Sequence, residues 1–241
     1  MVVMDPIRIV NRLVAASRCR DEETASHVVR VGRYASFIAS RLGAVEDFAR
    51  DIFHAAQLHD VGKIGVPDYV LRKRGPLTSD ERVQLRRHPK IGAGILGQSN
   101  MSILRIAADI ALGHHECWDG SGYPNGLVGV ENPLAARITM MADVYDALRS
   151  VRAYKRAYTH QEAVQIILDG DGRTMPGQFD PQVLDVFSAT HETFDSIYRG
   201  FLAIPPVSGF GIHGCINPNS ENNMCLLVDG QPAREQPQTF S

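Results

Sequence analysis

Histidine stands at several positions where a helical face calls for an apolar side chain. In residues 22–42, His27, Val31, Tyr34, Ile38 and Leu42 recur at three- and four-residue spacing. In 44–60, Val45, Phe48, Ile52, Ala55 and His59 do the same. Ile103, Ala107, Ile110 and His114 share a face of 102–115, and Ile138, Met141, Tyr145 and Leu148 share one of 134–150. Residues 159–169 and 181–195 add two amphipathic stretches. The second opens at Asp180-Pro181, a capping side chain followed by proline in the first turn. No useful run of alternating β-branched residues competes with these patterns, so the spacing predicts an all-α bundle. Such a core must supply partners for the histidines it receives, because a buried polar group without one is costly.

Composition narrows the function. The 241 residues carry 25 Lys+Arg against 27 Asp+Glu, a formal charge of −2. That balance excludes a broadly basic nucleic-acid coat, and neither DNA nor RNA is expected as a partner. Attraction for phosphate must be local. No run of 18 apolar residues predicts a membrane helix, and Met1-Val-Val-Met-Asp-Pro breaks up too early for a signal peptide. Cys19, Cys117, Cys215 and Cys225 form no CxxC pair and suggest no disulfide framework, so a cytoplasmic protein is expected. The chain divides into an N-terminal linking helix (1–20), one domain (18–203) and a disordered or loosely packed tail (204–241) rich in Pro, Gly, Asn and Ser. The linking helix leaves scope for a homodimer. There is no room for a sensory domain ahead of residue 20, so the chain reads as a stand-alone unit or a fragment of a regulated protein.

The chemistry lies in histidines set beside carboxylates. His59 precedes Asp60, His114 precedes His115 and Glu116, and His27 follows Glu23 by four residues. His88 precedes Pro89 at a helix boundary, and Asp143 and Asp146 lie three residues apart. Imidazole and carboxylate ligands on facing helices are how bundles hold Fe, Mn, Zn or Ni. Neighbouring ligands on a helix diverge by about 100°. On that ground His59-Asp60 and His114-His115 each serve two metals, which implies a polynuclear site. His54, His160, His191 and His213 read as ordinary hydrogen-bonded or surface residues. Residues 116–133 form a long loop rich in glycine and proline, a length usually reserved for function.

These residues resemble a known family. His59-Asp60-Val61-Gly62-Lys63 is similar to the HDxGK form of the HD phosphohydrolase motif. The run from His114 to Leu127 is similar to the HHExxDGxGYPxGL signature of the HD-GYP subfamily. Asp143–Leu148 resembles its DxxDAL element and Gln178–Pro181 its FDP element. Arg152-Ala153-Tyr154-Lys155 resembles RPYK with Ala153 replacing proline, and Asp21–His27 resembles DxETGxH with Ala25 replacing glycine.

The resemblance implies an HD-type helical bundle with metal ligands at Glu23, His27, His59, Asp60, His88, His114, His115 and Asp143. Asp60 would bridge two metals, and Glu23 would serve a third. It implies two or three divalent ions, iron or manganese. The implied activity is that of a phosphodiesterase cleaving cyclic di-GMP to pGpG or GMP with a metal-activated hydroxide. Asp60 and Lys63 would carry the chemistry, with Lys63 also holding a phosphate oxygen. Arg152 and Lys155 would grip the second phosphate, and Asp21 and Asp146 would meet guanine N–H groups. Gly122, Tyr123 and Pro124 would border the substrate and contact GGDEF-type synthases. Alternatives are a low-turnover adaptor binding cyclic di-GMP or a partner through this loop, a phosphodiesterase for cyclic GMP–AMP, and an HD hydrolase of another nucleotide.

Overall fold

A computed structural model of the protein describes residues 5–18, 25–151 and 156–200. Asp21, Glu23, Arg152, Lys155 and the tail from residue 204 lie outside them. The described chain is helical: α1 (Pro6–Arg18), α2 (Ala25–Arg41), α3 (Glu46–Ala55), α4 (Asp68–Leu71), α5 (Ser79–Leu85), α6 (His88–Leu96), α7 (Ser102–Gly113), α8 (Leu134–Arg149), α9 (His160–Asp169) and α10 (Pro181–Tyr198). The only strand-like pairing among the described residues is an isolated bridge between Asp119 and Val128.

Helix starts follow local chemistry. Thr78 and Glu81 form a reciprocal capping box on α5, and Thr159 and Glu162 form one on α9. Asp180 accepts from Gln182 N–H at the head of α10, where Pro181 supplies a preset φ. Pro89 stands in the first turn of α6, so the boundary expected at His88 is a helix start.

Helix α2 packs against α3, α8 and α10, and α6 packs along α7. Where α2, α8 and α10 meet, Tyr34 stacks on Phe194 with ring centres 5.0 Å apart, and Tyr145 meets both rings edge-on. All three rings are fully buried. Edge-on and offset arrangements suit the ring quadrupoles and add about 0.5–1.5 kcal/mol per pair beyond burial.

The helix expected to run through residue 60 stops earlier. Helix α3 ends at Ala55, a 3-10 turn takes Ala56–Leu58, and Asp60 leaves helical geometry at φ −103°, ψ 12°. A second 3-10 turn, Val61–Gly65, follows and packs against α6. Gly62 permits that contact. A Cβ there would lie 1.9 Å from the His88 carbonyl oxygen and 2.4 Å from the Gly92 nitrogen. Both are backbone atoms that no rotamer change can move. Gly62→Ala is therefore expected to destabilise the fold by at least the upper end of the about 1–3 kcal/mol typical of overpacking. Urea unfolding of the variant beside wild type measures this.

Candidate metal centre

Four imidazoles are each anchored through Nδ1. The His59 Nδ1 lies 2.9 Å from the Ala56 carbonyl oxygen, and the His88 Nδ1 lies 2.8 Å from that of Leu85. The His114 Nδ1 lies 3.1 Å from the carbonyls of both Ile110 and Ala111. The His27 Nδ1 lies 2.8 Å from Asp146 Oδ2. Carbonyl and carboxylate oxygens accept, so the hydrogen of each ring belongs on Nδ1. In the neutral ring, Nε2 then carries a lone pair. His59, His88 and His114 are almost wholly enclosed. Burial holds the His114 imidazole below its ordinary pKa. Burial, with the His114 ring beside it, pushes His115 down much further.

The Nε2 atoms converge on two carboxylates. His88 Nε2 is 3.1 Å and His114 Nε2 3.6 Å from Asp60 Oδ1, and the two nitrogens are 3.5 Å apart. His59 Nε2 lies 3.3 Å from Asp60 Oδ2 and 3.9 Å from Asp143 Oδ1, which also sits 3.6 Å from His27 Nε2. Lone pairs directed at one another and at carboxylate oxygens repel, and a cation among them turns each contact into an attraction. The donor set therefore fits divalent metal, with Nδ1–H bonds to carbonyls and carboxylate as the supporting contacts that ligating histidines require.

Two groups of ligand-type side chains result: Asp60, His88, His114 and His115, and His27, His59 and Asp143. Every described residue named as a ligand falls in one or the other. His59 and Asp60 part between the groups as their spacing suggested. His114 and His115 do not, and the expectation that they would is corrected. Helix α7 ends at Gly113, and the following turn leaves both rings on one side with centres 4.1 Å apart.

Lys63, three residues past Asp60 on the 3-10 turn, places Nζ 2.7 Å from Asp60 Oδ2. Burial alone would raise the Asp60 carboxyl. The Lys63 ammonium and the surrounding imidazoles outweigh it and hold the group well below the usual carboxylate range.

Asp146 is also a correction. It is fully buried, and both oxygens are taken by a bidentate Arg30 at 2.6 and 2.8 Å and by His27. It cannot reach a guanine edge; it orients the His27 ring. Burial would raise its carboxyl, but the Arg30 and His27 hydrogen bonds bring it below the ordinary value. Arg30 went unnoticed in the sequence, although it follows His27 by three residues on the same helical face.

Glu116 organises the glycine-rich loop. It is fully buried, and its two oxygens accept the backbone N–H groups of Asn125 at 2.7 Å and Leu127 at 3.0 Å. Gly122 passes so close to the preceding turn that a Cβ would lie 2.2 Å from the Cys117 nitrogen. Tyr123 consequently stacks on His115 at 4.7 Å, with the Arg86 guanidinium 4.6 Å from its ring centre. A base could stack on this ring only by displacing a protein group. Arg86 thus belongs to the rim of the site.

Two outcomes follow. Asp146→Asn removes the carboxylate that orients His27 and should weaken metal affinity by about 10–100-fold, measured by competition with a chelator. Chelator-treated protein should lose stability as pH falls below about 6.5, the ordinary histidine value. Below that pH the unfolded chain takes protons that His114 and His115 refuse in the fold; above it neither state is protonated and their contribution is level. Urea unfolding across this range tests the direction.

The chain is similar to several known proteins. A probable cyclic di-GMP phosphodiesterase of Vibrio cholerae is 41% identical over 208 residues, covering 80% of this chain and 46% of its own. The Xanthomonas campestris cyclic di-GMP phosphodiesterase response regulator RpfG is 46% identical over 176 residues, covering 73% of this chain and 46% of its own. The chain thus spans about half the length of these curated relatives. Among solved structures, the HD domain of the Listeria monocytogenes phosphodiesterase PgpH superposes with a TM-score of 0.54 at 23% identity, covering 77% of this chain and 98% of that one. It shares the fold. The model of the HD domain family matches residues 9–183, from α1 into α10. A match across so much of the sequence makes this chain a member of the HD domain family.

Proposed function

We propose that the chain is a metal-dependent phosphodiesterase for a cyclic dinucleotide, with cyclic di-GMP as its substrate. The carrying observation is the position of Asp60. One of its oxygens faces His88 and His114 and the other faces His59, so a single carboxylate is set to bridge two cations. The curated relatives support the substrate class, since the names of several specify cyclic di-GMP phosphodiesterases. On this reading His27, His59, Asp60, His88, His114, His115 and Asp143 hold two iron or manganese ions, and Glu23 adds a ligand for a third. When bound, such ions lower the pKa of water to about 7 and neutralise phosphate oxygens as charge develops.

The chain's own residues set the geometry. Backbone carbonyls fix the His59, His88 and His114 imidazoles, and the Asp146 carboxylate fixes His27, each with Nε2 facing inward. Lys63 offers a cation beside Asp60, suited to a non-bridging phosphate oxygen. Arg152 and Lys155 take the second phosphate, where a guanidinium fork suits bidentate contact. The loop from Glu116 to Leu127 walls the site beside His115, and with Gly122 and Pro124 at its turn it is the surface open to a synthase partner. Residues 18–203 form the catalytic unit, with α1 as its connection.

The test is anaerobic reconstitution with Fe(II) and, separately, Mn(II), followed by chromatography of cyclic di-GMP products. Turnover should be lost, by a factor of about a thousand or more, in a His59→Ala, Asp60→Ala control. Metal bound in full with no turnover of cyclic di-GMP would sink this substrate. A relative named 3'3'-cGAMP-specific phosphodiesterase 2, 38% identical over 189 residues, makes cyclic GMP–AMP the second compound in the assay.

A further inference from the structure

A third group of ligand-type side chains lies between α9 and α10, outside the centre described above. His160 opens α9, and His191 and Glu192 follow Thr190, where α10 breaks with φ −138°. His160 Nε2 and His191 Nδ1 are 3.0 Å apart, and Glu192 Oε1 lies 3.9 and 3.7 Å from them. Two nitrogens at that separation, each about 2.1 Å from a shared cation, subtend about 90° there, and parting the rings by about 0.4 Å gives the tetrahedral angle that Zn(II) prefers. Glu192 is 78% exposed on its side chain and can close the remaining gap.

The site is braced from within. His160 is only 4% exposed. Its Nδ1 lies 2.9 Å from the Tyr145 hydroxyl, which accepts from Arg149 at 2.7 Å, and Arg149 in turn donates to buried Asp195 at 2.7 Å. With Nε2 on a metal, the His160 proton sits on Nδ1 and the Tyr145 oxygen accepts it, the support a ligating imidazole needs. Burial lowers the His160 pKa and keeps its ring neutral. A cavity of about 290 Å³ opens beside the three side chains, lined also by Val164, Leu168 and Asp169.

We propose that His160, His191 and Glu192 bind a borderline divalent cation such as Zn(II) across the groove between α9 and α10. Two imidazoles and one carboxylate select such ions over Mg²⁺ or Ca²⁺. Glu192 leaves the site facing solvent, so metal can exchange there without opening the core.

The experiment is equilibrium dialysis of the full chain against Zn(II), with elemental analysis of bound metal. His191→Ala should bind one equivalent less than wild type. Glu192→Gln, a change at an exposed side chain, should weaken that equivalent by tenfold or more. A His59→Ala, Asp60→Ala chain should retain it, which separates this site from the core. A rise in melting temperature on adding Zn(II), present in the core variant and absent in His191→Ala, is the matching second readout. Equal zinc content and equal thermal response in wild type, His191→Ala and Glu192→Gln would overturn the proposal and leave a plain N–H···N bond between two histidines.

Discussion

The structure depends on electrostatic repulsion arranged in advance. Several imidazoles are tethered by Nδ1 so that each Nε2 faces inward toward Asp60 and Asp143. A core of this kind is uncomfortable by itself, since lone pairs and carboxylate oxygens share a space from which water is largely excluded. The backbone supplies the constraint. Three of the tethers are carbonyls three or four residues upstream in the same turn, so a ring's aim is fixed by where its helix or turn ends. Secondary structure, elsewhere a device for burying peptide groups, here aims ligands.

That constraint explains why the fold is built of short pieces near the site. A continuous helix through residue 60 would direct His59 and Asp60 at a fixed angle and leave no space for α6. The two 3-10 turns, with the non-helical Asp60 between them, let one side chain face Asp143 and the other face His88. Gly62 then brings α6 within backbone contact, which carries His88 into place. On the far side Glu116 performs a similar service. A buried carboxylate holding two peptide N–H groups replaces the hydrogen bonds that a loop would otherwise make to water.

Much of this was legible in the sequence, and the reasons are specific. Regular three- and four-residue spacing marked the faces of α2, α3 and α7, because those helices bury one stripe each, whereas α8 is buried on most sides. The ligand types were visible because they interrupt those stripes. What periodicity cannot carry is the geometry where a helix ends. His114 and His115 were assigned to different metals on helical angles that stop applying after Gly113. Asp146 shared a face with Asp143, and nothing in their spacing says which carboxylate faces the centre. The answer lies with Arg30, a residue far off in sequence whose guanidinium claims Asp146. The contact of Arg86 with Tyr123 has no periodic signal either, because a loop brings the ring to it.

The span of the ligand set has a consequence for biosynthesis. His27 and the carboxylate that orients it, Asp146, are 119 residues apart, with the remaining described ligands strung between them. A ribosome releases them in order, so no partial chain that ends before α8 owns a complete set of donors. Early histidines are bound to be exposed to whatever cation is abundant while the later ones are still being made. The described donors share one cage only once α8, which carries Asp143, has packed against α2.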